Sequence, residues 1–134
     1  MDLTRLPLFR LLSARMAWLS QRQEVLAQNV ANADTPGFKP SDLAPMDFRG
    51  ALRTVSAIVP VRTNPMHIGV SLRAQGPFAV VPDRRAQESP DGNAVDLEEQ
   101  MVKMAQTQAD YQLVTNLYRK QVGLIKAALG HGGS

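Results

Sequence analysis

The chain has no cysteine, so it holds neither a disulfide framework nor a thiolate metal site. Only 5% of its 134 residues are aromatic, too few for a large globular core. It has 2 histidines, His67 and His131, far apart in sequence, and no His pair at the spacing of helix-borne metal ligands. No serine stands in the glycine context of a nucleophile elbow, there is no glycine-rich phosphate loop, and no catalytic carboxylate pair can be nominated. These absences exclude the common enzyme classes, and no cofactor or metal is expected. No apolar run approaches the ~20 residues of a membrane span. At the N-terminus Arg10 and Arg15 interrupt the leucines where a secretory signal would be unbroken. The chain is basic, with 15 Lys/Arg against 12 Asp/Glu, but the basic residues are scattered without aromatic interleaving, which argues against nucleic-acid binding. Two further readings of the Arg-bearing N-terminus, a transit peptide and an amphipathic membrane-surface helix, are weaker than the pairing pattern that follows.

What the chain does have is two long helical patterns around a proline-studded middle. Eight of the 9 prolines lie between Pro36 and Pro90. Before them, Leu12, Met16, Leu19, Gln23, Leu26, Val30 and Ala33 recur in steps of four and three. After them, Leu97, Met101, Met104, Gln108, Tyr111, Thr115, Tyr118, Val122, Ile125 and Leu129 do the same. Such spacing marks one stripe of a helix, the seam of a coiled coil. Leu11, Trp18 and Val25 form a second row beside the first seam, wide enough to meet a second neighbour or simply to cover the partner helix. The chain therefore reads as mainly α. Long terminal helices pair as an antiparallel coiled-coil-like hairpin, and the irregular middle has short β structure at most. Three regions follow: an N-terminal helix in residues 1–33, a turn and proline-rich region in 34–95, and a C-terminal helix with a glycine-rich tail in 96–134.

The boundaries have local causes. Thr4 can cap the first helix with Pro7 in its first turn, and helix is expected from about Arg5 to Asn32. Proline disfavours helical geometry in the residue before it, so the chain leaves helix between Asn32 and Thr35. Pro36-Gly37 supplies the central pair of a type II turn, while Asn29 and Asn32 can offer amide donors to the last carbonyls. In the middle, Ala57–Val61 and Phe78–Val81 are candidate strands, and Ser89-Pro90-Asp91-Gly92-Asn93 is a turn cluster. Asp96 caps the second helix, with Glu99 at the capping-box position. Gly130 ends it, and about 33 residues span roughly 50 Å. An antiparallel register that sets Ala33 opposite Leu97 brings Gln23 level with Gln108, and buried carboxamides can fix register because each needs a partner.

The run from Val25 to Lys39, with Asn29, Asn32, Thr35, Pro36, Gly37 and Phe38, resembles the N-terminal motif of bacterial flagellar axial proteins, the rod, hook and hook-associated family. Gln28 stands where that family more often has Asn. Arg62–Ile68, Asn93–Met101 and the Ala109-Asp110-Tyr111-Gln112 stretch leading into a basic helix look most like the proximal rod proteins of the basal body.

The resemblance implies a non-enzymatic subunit of a hollow periplasmic drive shaft that transmits torque and conducts exported subunits. The terminal helices would form its inner wall. The partners implied are further copies, other rod proteins, the rod–MS-ring adaptor protein, the flagellar export gate and the MS ring. The chain would not itself cross a membrane and would be exported through the flagellar type III apparatus without a cleavable signal. The rival expectation is a self-contained coiled-coil adaptor or secretion chaperone.

Overall fold

The computed structural model describes residues 6–47 and 78–130. Within them the elements run α1 (Pro7–Ala31), β1 (Ser41–Leu43), β2 (Val80–Pro82) and α2 (Leu97–Gly130). The fold is mainly α: two long helices pack against one another, and the strands form one short antiparallel pair. Thr4, Ala57–Val61, Arg62–Ile68, His67 and His131 lie outside the described residues.

Helix α1 begins with Pro7 in its first turn, where the missing N–H has no helical partner to lose. Leu6, the cap residue, is extended and makes no side-chain capping bond. Helix α2 starts where Asp96 Oδ1 accepts the Glu99 N–H at 3.2 Å. Glu99 does not turn back to complete a capping box; its carboxylate holds Lys103 Nζ at 2.9 Å, one turn along.

The helices are antiparallel. Asn29 faces Gln100 (2.8 Å), Met16 Sδ meets Thr115 Oγ1 (3.6 Å), and the Phe9 ring packs edge-on against Tyr118 with centroids 5.1 Å apart. These pairs fix the register expected from the seams. Gln23 and Gln108 stand at one level and line the same cavity.

The first seam is buried much as its spacing requires, with Leu12, Leu19 and Leu26 at 3%, 1% and 0% exposure. Full burial of such a leucine stabilises by about 1.5–3 kcal/mol. The second seam divides. Met104, Thr115, Tyr118, Val122 and Ile125 are half-buried, but Leu97, Met101, Gln108, Tyr111 and Leu129 are exposed. The most deeply buried positions of α2 are instead Gln100 and Thr107. This corrects the stripe drawn for α2. A helix with apolar residues on several sides offers more than one series in steps of four and three. The face turned inward is the one whose polar groups find partners there.

The row beside the first seam meets the chain's own middle segment. Trp18 and Leu19 form a cluster with Leu43, and Val25, Met46, Phe78 and Val114 pack around it. The strands pair Ser41 with Pro82, Asp42 with Val81 and Leu43 with Val80, so they lay a two-stranded arm along α1. β2 overlaps the strand expected at Phe78–Val81, starting two residues later and ending one later, while β1 has no counterpart among the expected strands.

Candidate assembly site

The arm is held to α1 by side chains that imitate a strand's hydrogen bonding. Asn29 accepts the Ser41 N–H on Oδ1 (3.1 Å) and donates from Nδ2 to the Ser41 carbonyl (2.7 Å). Gln21 does the same with Phe78, at 3.2 and 3.0 Å. Trp18 Nε1 donates to the Ala44 carbonyl at 3.0 Å. Arg22 grips Asp42 with two bonds of 2.9 and 2.8 Å. The hydrogen bond to Asp42 raises the Arg22 pKa above its ordinary value against the opposing effect of burial. The guanidinium carbons of Arg15 and Arg22 lie 4.7 and 5.4 Å from the Trp18 ring centroid, within cation–π range.

From the other side, Lys103 on α2 donates to Asp83, the residue after β2, at 2.6 Å. That hydrogen bond holds the Asp83 carboxyl below its ordinary pKa, although burial pushes the other way. For Lys103 burial would lower the pKa, yet the bonds to Asp83 and Glu99 leave it raised. The arm is thus tied to both helices, from the turn end of the hairpin up to the middle of α1.

That end is closed by a clasp of two turns. α1 stops at Ala31, and Asn32 donates from Nδ2 to the Gln28 carbonyl at 2.8 Å while its Oδ1 accepts from the Thr35 hydroxyl at 3.1 Å. Thr35 and Phe38 close the next turn (3.2 Å), with Pro36 and a left-handed Gly37 (φ +73°) at its centre, the geometry of a type II turn. Across from it, Ser89 and Gly92 close a second turn at 2.8 Å, and Gly92 is also left-handed (φ +78°). Gly37 N–H donates to the Asp91 carbonyl (3.2 Å) and Ala94 N–H to the Phe38 carbonyl (3.0 Å), so the two turns lie backbone to backbone.

Asn93 binds them together. It is 4% exposed. Its amide nitrogen donates to the carbonyls of Asn32 (3.0 Å) and Thr35 (2.6 Å), and its Oδ1 accepts from Val95 N–H (2.8 Å). One side chain therefore satisfies two carbonyls just beyond the end of α1 and orders the segment leading into α2.

The expected motif residues thus gather at one place. Asn32, Thr35, Pro36, Gly37 and Phe38 form the clasp's first turn, and Asn29 links it to the arm and to Gln100. Asn93 and Gln100 had no sequence signal as partners of this motif, although Asn93 ends a turn cluster and both lie in the Asn93–Met101 stretch that resembles the rod proteins. Higher in the pair, Gln23 Oε1 is buried without a hydrogen-bond partner among the described atoms. It borders a cavity of about 210 Å³ lined also by Leu19, Ser20, Thr107, Gln108 and Tyr111. A gap of that size and polarity has room for water.

The outer side of α2 remains uncovered. Val102 (51%), Leu113 (67%) and Leu124 (54%), eleven residues apart, are exposed on one side of the helix, with Met101 (60%) beside them. Isolated apolar side chains are ordinary on a surface, but a series running the length of a helix marks an interaction face. Among the described residues no group of three His, Asp or Glu side chains is placed to hold a metal ion, and no helix is long and apolar enough to cross a membrane.

Comparison with known proteins shows the family. Residues 9–39, covering most of α1 and the first turn of the clasp, match the family model described as flagella basal body rod protein. The flagellar basal body rod protein FlgB of Agrobacterium fabrum is 39% identical over 119 residues, which cover 84% of each chain. FlgB of Escherichia coli K12 is 32% identical over 114 residues, 77% of this chain and 78% of its own. FlgB of Salmonella typhimurium is 36% identical over 105 residues, 70% of this chain and 72% of its own.

Proposed function

The chain belongs to the FlgB family of flagellar basal body rod proteins, and from that premise we propose that it is a structural, non-enzymatic subunit of the proximal rod. The observation that carries the proposal is the apolar outer side of α2. The helix pairs with α1 and still presents Met101, Val102, Leu113 and Leu124 outward. A helix that is apolar on more than one side is built to be enclosed, and a hairpin can enclose only one of those sides. Neighbouring subunits supply the rest.

In this reading residues 1–33 and 96–134 form the inner wall of a hollow shaft, and residues 34–95 lie outside them. The seam residues and the clasp are assembly elements. The partners are further copies, other rod proteins, the rod–MS-ring adaptor, the export gate and the MS ring. The subunit reaches the periplasmic rod through the flagellar type III apparatus, without a cleavable signal.

The test is complementation. A strain lacking its own copy of the gene should regain swimming with the intact chain and stay non-motile, without assembled rods, when Val122–Leu129 is deleted. Full motility with the deletion would sink the proposal, because that segment would then contribute nothing to assembly. A discrete, stable oligomer of the pure protein that restores no motility would favour the adaptor or chaperone alternative.

A further inference from the structure

The described residues include Met16, Met46, Met101 and Met104, and their sulfurs are covered very unequally. Met46 packs against the cluster of Trp18, Leu19 and Leu43. Met16 is half-buried between the helices, and its Sδ accepts the Thr115 hydroxyl at 3.6 Å, which engages a sulfur lone pair. Met104 is half-buried in the seam. Met101 is 60% exposed.

Met101 also stands where a change of polarity matters. With Leu97, Val102 and Ala105 it lines an open-sided groove of about 530 Å³, and Glu98 is the one charged residue of the lining. A thioether is soft and unbranched, so it adapts to whatever apolar surface closes over it. It is also an apolar side chain that a single added oxygen makes polar and chiral. No cysteine competes for an oxidant, since the chain has none.

We propose that Met101 is an oxidation site of the free subunit, and that its sulfoxide keeps the oxidised subunit out of the rod. The oxidant is a peroxide. A sulfur lone pair attacks one oxygen of hydrogen peroxide, the S–O bond forms as the O–O bond breaks, and the departing hydroxide takes up a proton and leaves as water. Sulfur is oxidised by two electrons and the peroxide is reduced by two. A dithiol-dependent reductase reverses the step, releasing the oxygen as water while two thiols become a disulfide. The inference deepens the rod reading and rests on it, because the groove belongs to the side of α2 given there to neighbouring subunits. Met101 makes little of the hairpin's own core, so oxidation leaves the fold intact. The cost falls on the contact, where a sulfoxide oxygen would lose its water without gaining a donor.

Peptide mapping tests the site. Each of the 6 methionines falls in its own tryptic peptide, because Lys103 separates Met101 from Met104. On brief treatment of the purified full-length chain with hydrogen peroxide, the peptide of residues 86–103 should gain one oxygen severalfold faster than those carrying Met16, Met46 or Met104. The circular dichroism should stay unchanged. Equal rates at these four sulfurs, or helix lost in step with Met101 oxidation, would overturn the assignment.

Motility tests the consequence. In a strain lacking its own copy of the gene, cells making the intact chain or Met101→Leu grow new flagella in sub-lethal peroxide, and each strain is compared with itself without oxidant. The fractional loss of swimming should be severalfold smaller with leucine. Met101→Gln, which places a neutral polar group in the groove, should swim severalfold less than Met101→Leu even without oxidant. Equal fractional losses, or glutamine as good as leucine, would remove the effect on assembly. An intact chain that restores no swimming before any oxidant is added would instead remove the rod reading itself.

Discussion

The two left-handed glycines of the clasp make a quantitative comparison possible. Gly37 has φ +73°, and a Cβ built there meets nothing within 4 Å, so Gly37→Ala introduces backbone strain alone. That strain is roughly 1–2 kcal/mol, offset in part by about 0.4–1 kcal/mol from the stiffer unfolded chain. Gly92 has φ +78°, and its Cβ would lie 3.3 Å from the Gly37 Cα. The neighbour is backbone held by the Gly37-to-Asp91 hydrogen bond, so it cannot swing aside as a side chain would. Gly92→Ala therefore adds a packing clash of order 1–3 kcal/mol to the same strain. The expected order of destabilisation is Gly37→Asn least, because Asn tolerates left-handed geometry, then Gly37→Ala, with Gly37→Val and Gly92→Ala largest. Urea unfolding followed by Trp18 fluorescence provides the assay, since the buried indole lies between α1 and the arm. With m of about 1–3 kcal/mol/M, Gly92→Ala should lower the midpoint by around 1 M or more at unchanged m. Swimming should decline in the same order. A Gly92→Ala midpoint equal to or above that of Gly37→Ala would refute the argument that the turns are locked backbone to backbone.

Asn93→Ala removes three side-chain hydrogen bonds and should destabilise by roughly 1.5–4 kcal/mol in the same urea assay. Asn93→Asp should not rescue it, because a carboxylate would face the carbonyls of Asn32 and Thr35 without a donor. Acid should loosen the arm. The folded pKa of Asp83 is depressed, so its contribution is present above the ordinary carboxylate value of 3.8 and is lost as pH falls through the lowered one. In Asp83→Asn this acid-side step should shrink when Trp18 fluorescence is titrated downward from neutral pH. Lys103 has the opposite sign: its raised pKa preserves its contribution until pH climbs past the ordinary 10.5. Hydrogen exchange on the dilute free chain should show a gradient, strongest at Leu26–Ala31 and Gln100–Thr107 beside the clasp and weakest in Leu124–Gly130. Uniformly strong protection along α2 would show a self-sufficient hairpin and remove the coupling of its open end to assembly.

Features specified by a few adjacent residues were legible in the sequence. Pro7, Asn32, Pro36-Gly37 and Asp96 each act through their own or neighbouring backbone, and the helix boundaries lie within two residues of where they point. The register was legible for a related reason, since two helices joined at a fixed clasp have little freedom to slide. The arm was harder. β1 is 3 residues long and includes Asp42, so it shows no alternation of apolar and polar residues. Its place is set by Trp18, Gln21, Arg22 and Asn29 reaching from α1, and no local pattern announces such long-range bonds.

The face of α2 departs most from its apolar periodicity, and the departure bears on assembly. Leu97-Met101-Met104-Gln108 and Gln100-Lys103-Thr107 are competing series on the same turns, and apolar periodicity favours the first. The chain buries much of the second. Gln100 meets the Asn29 amide, Lys103 meets Asp83 of the arm, and Thr107 bonds back to the Lys103 carbonyl at 2.7 Å. Polar partners therefore decide which side of α2 turns inward near the clasp, and the more apolar side is left outside. In a protein whose final state was the lone chain, that choice would waste hydrophobic burial. In a subunit whose final state is a polymer it does two separate jobs. Directional hydrogen bonds, specific to the chain's own clasp and arm, set the internal fold. The non-directional apolar surface remains available to neighbours, where burial per unit area is the main stabilising contribution.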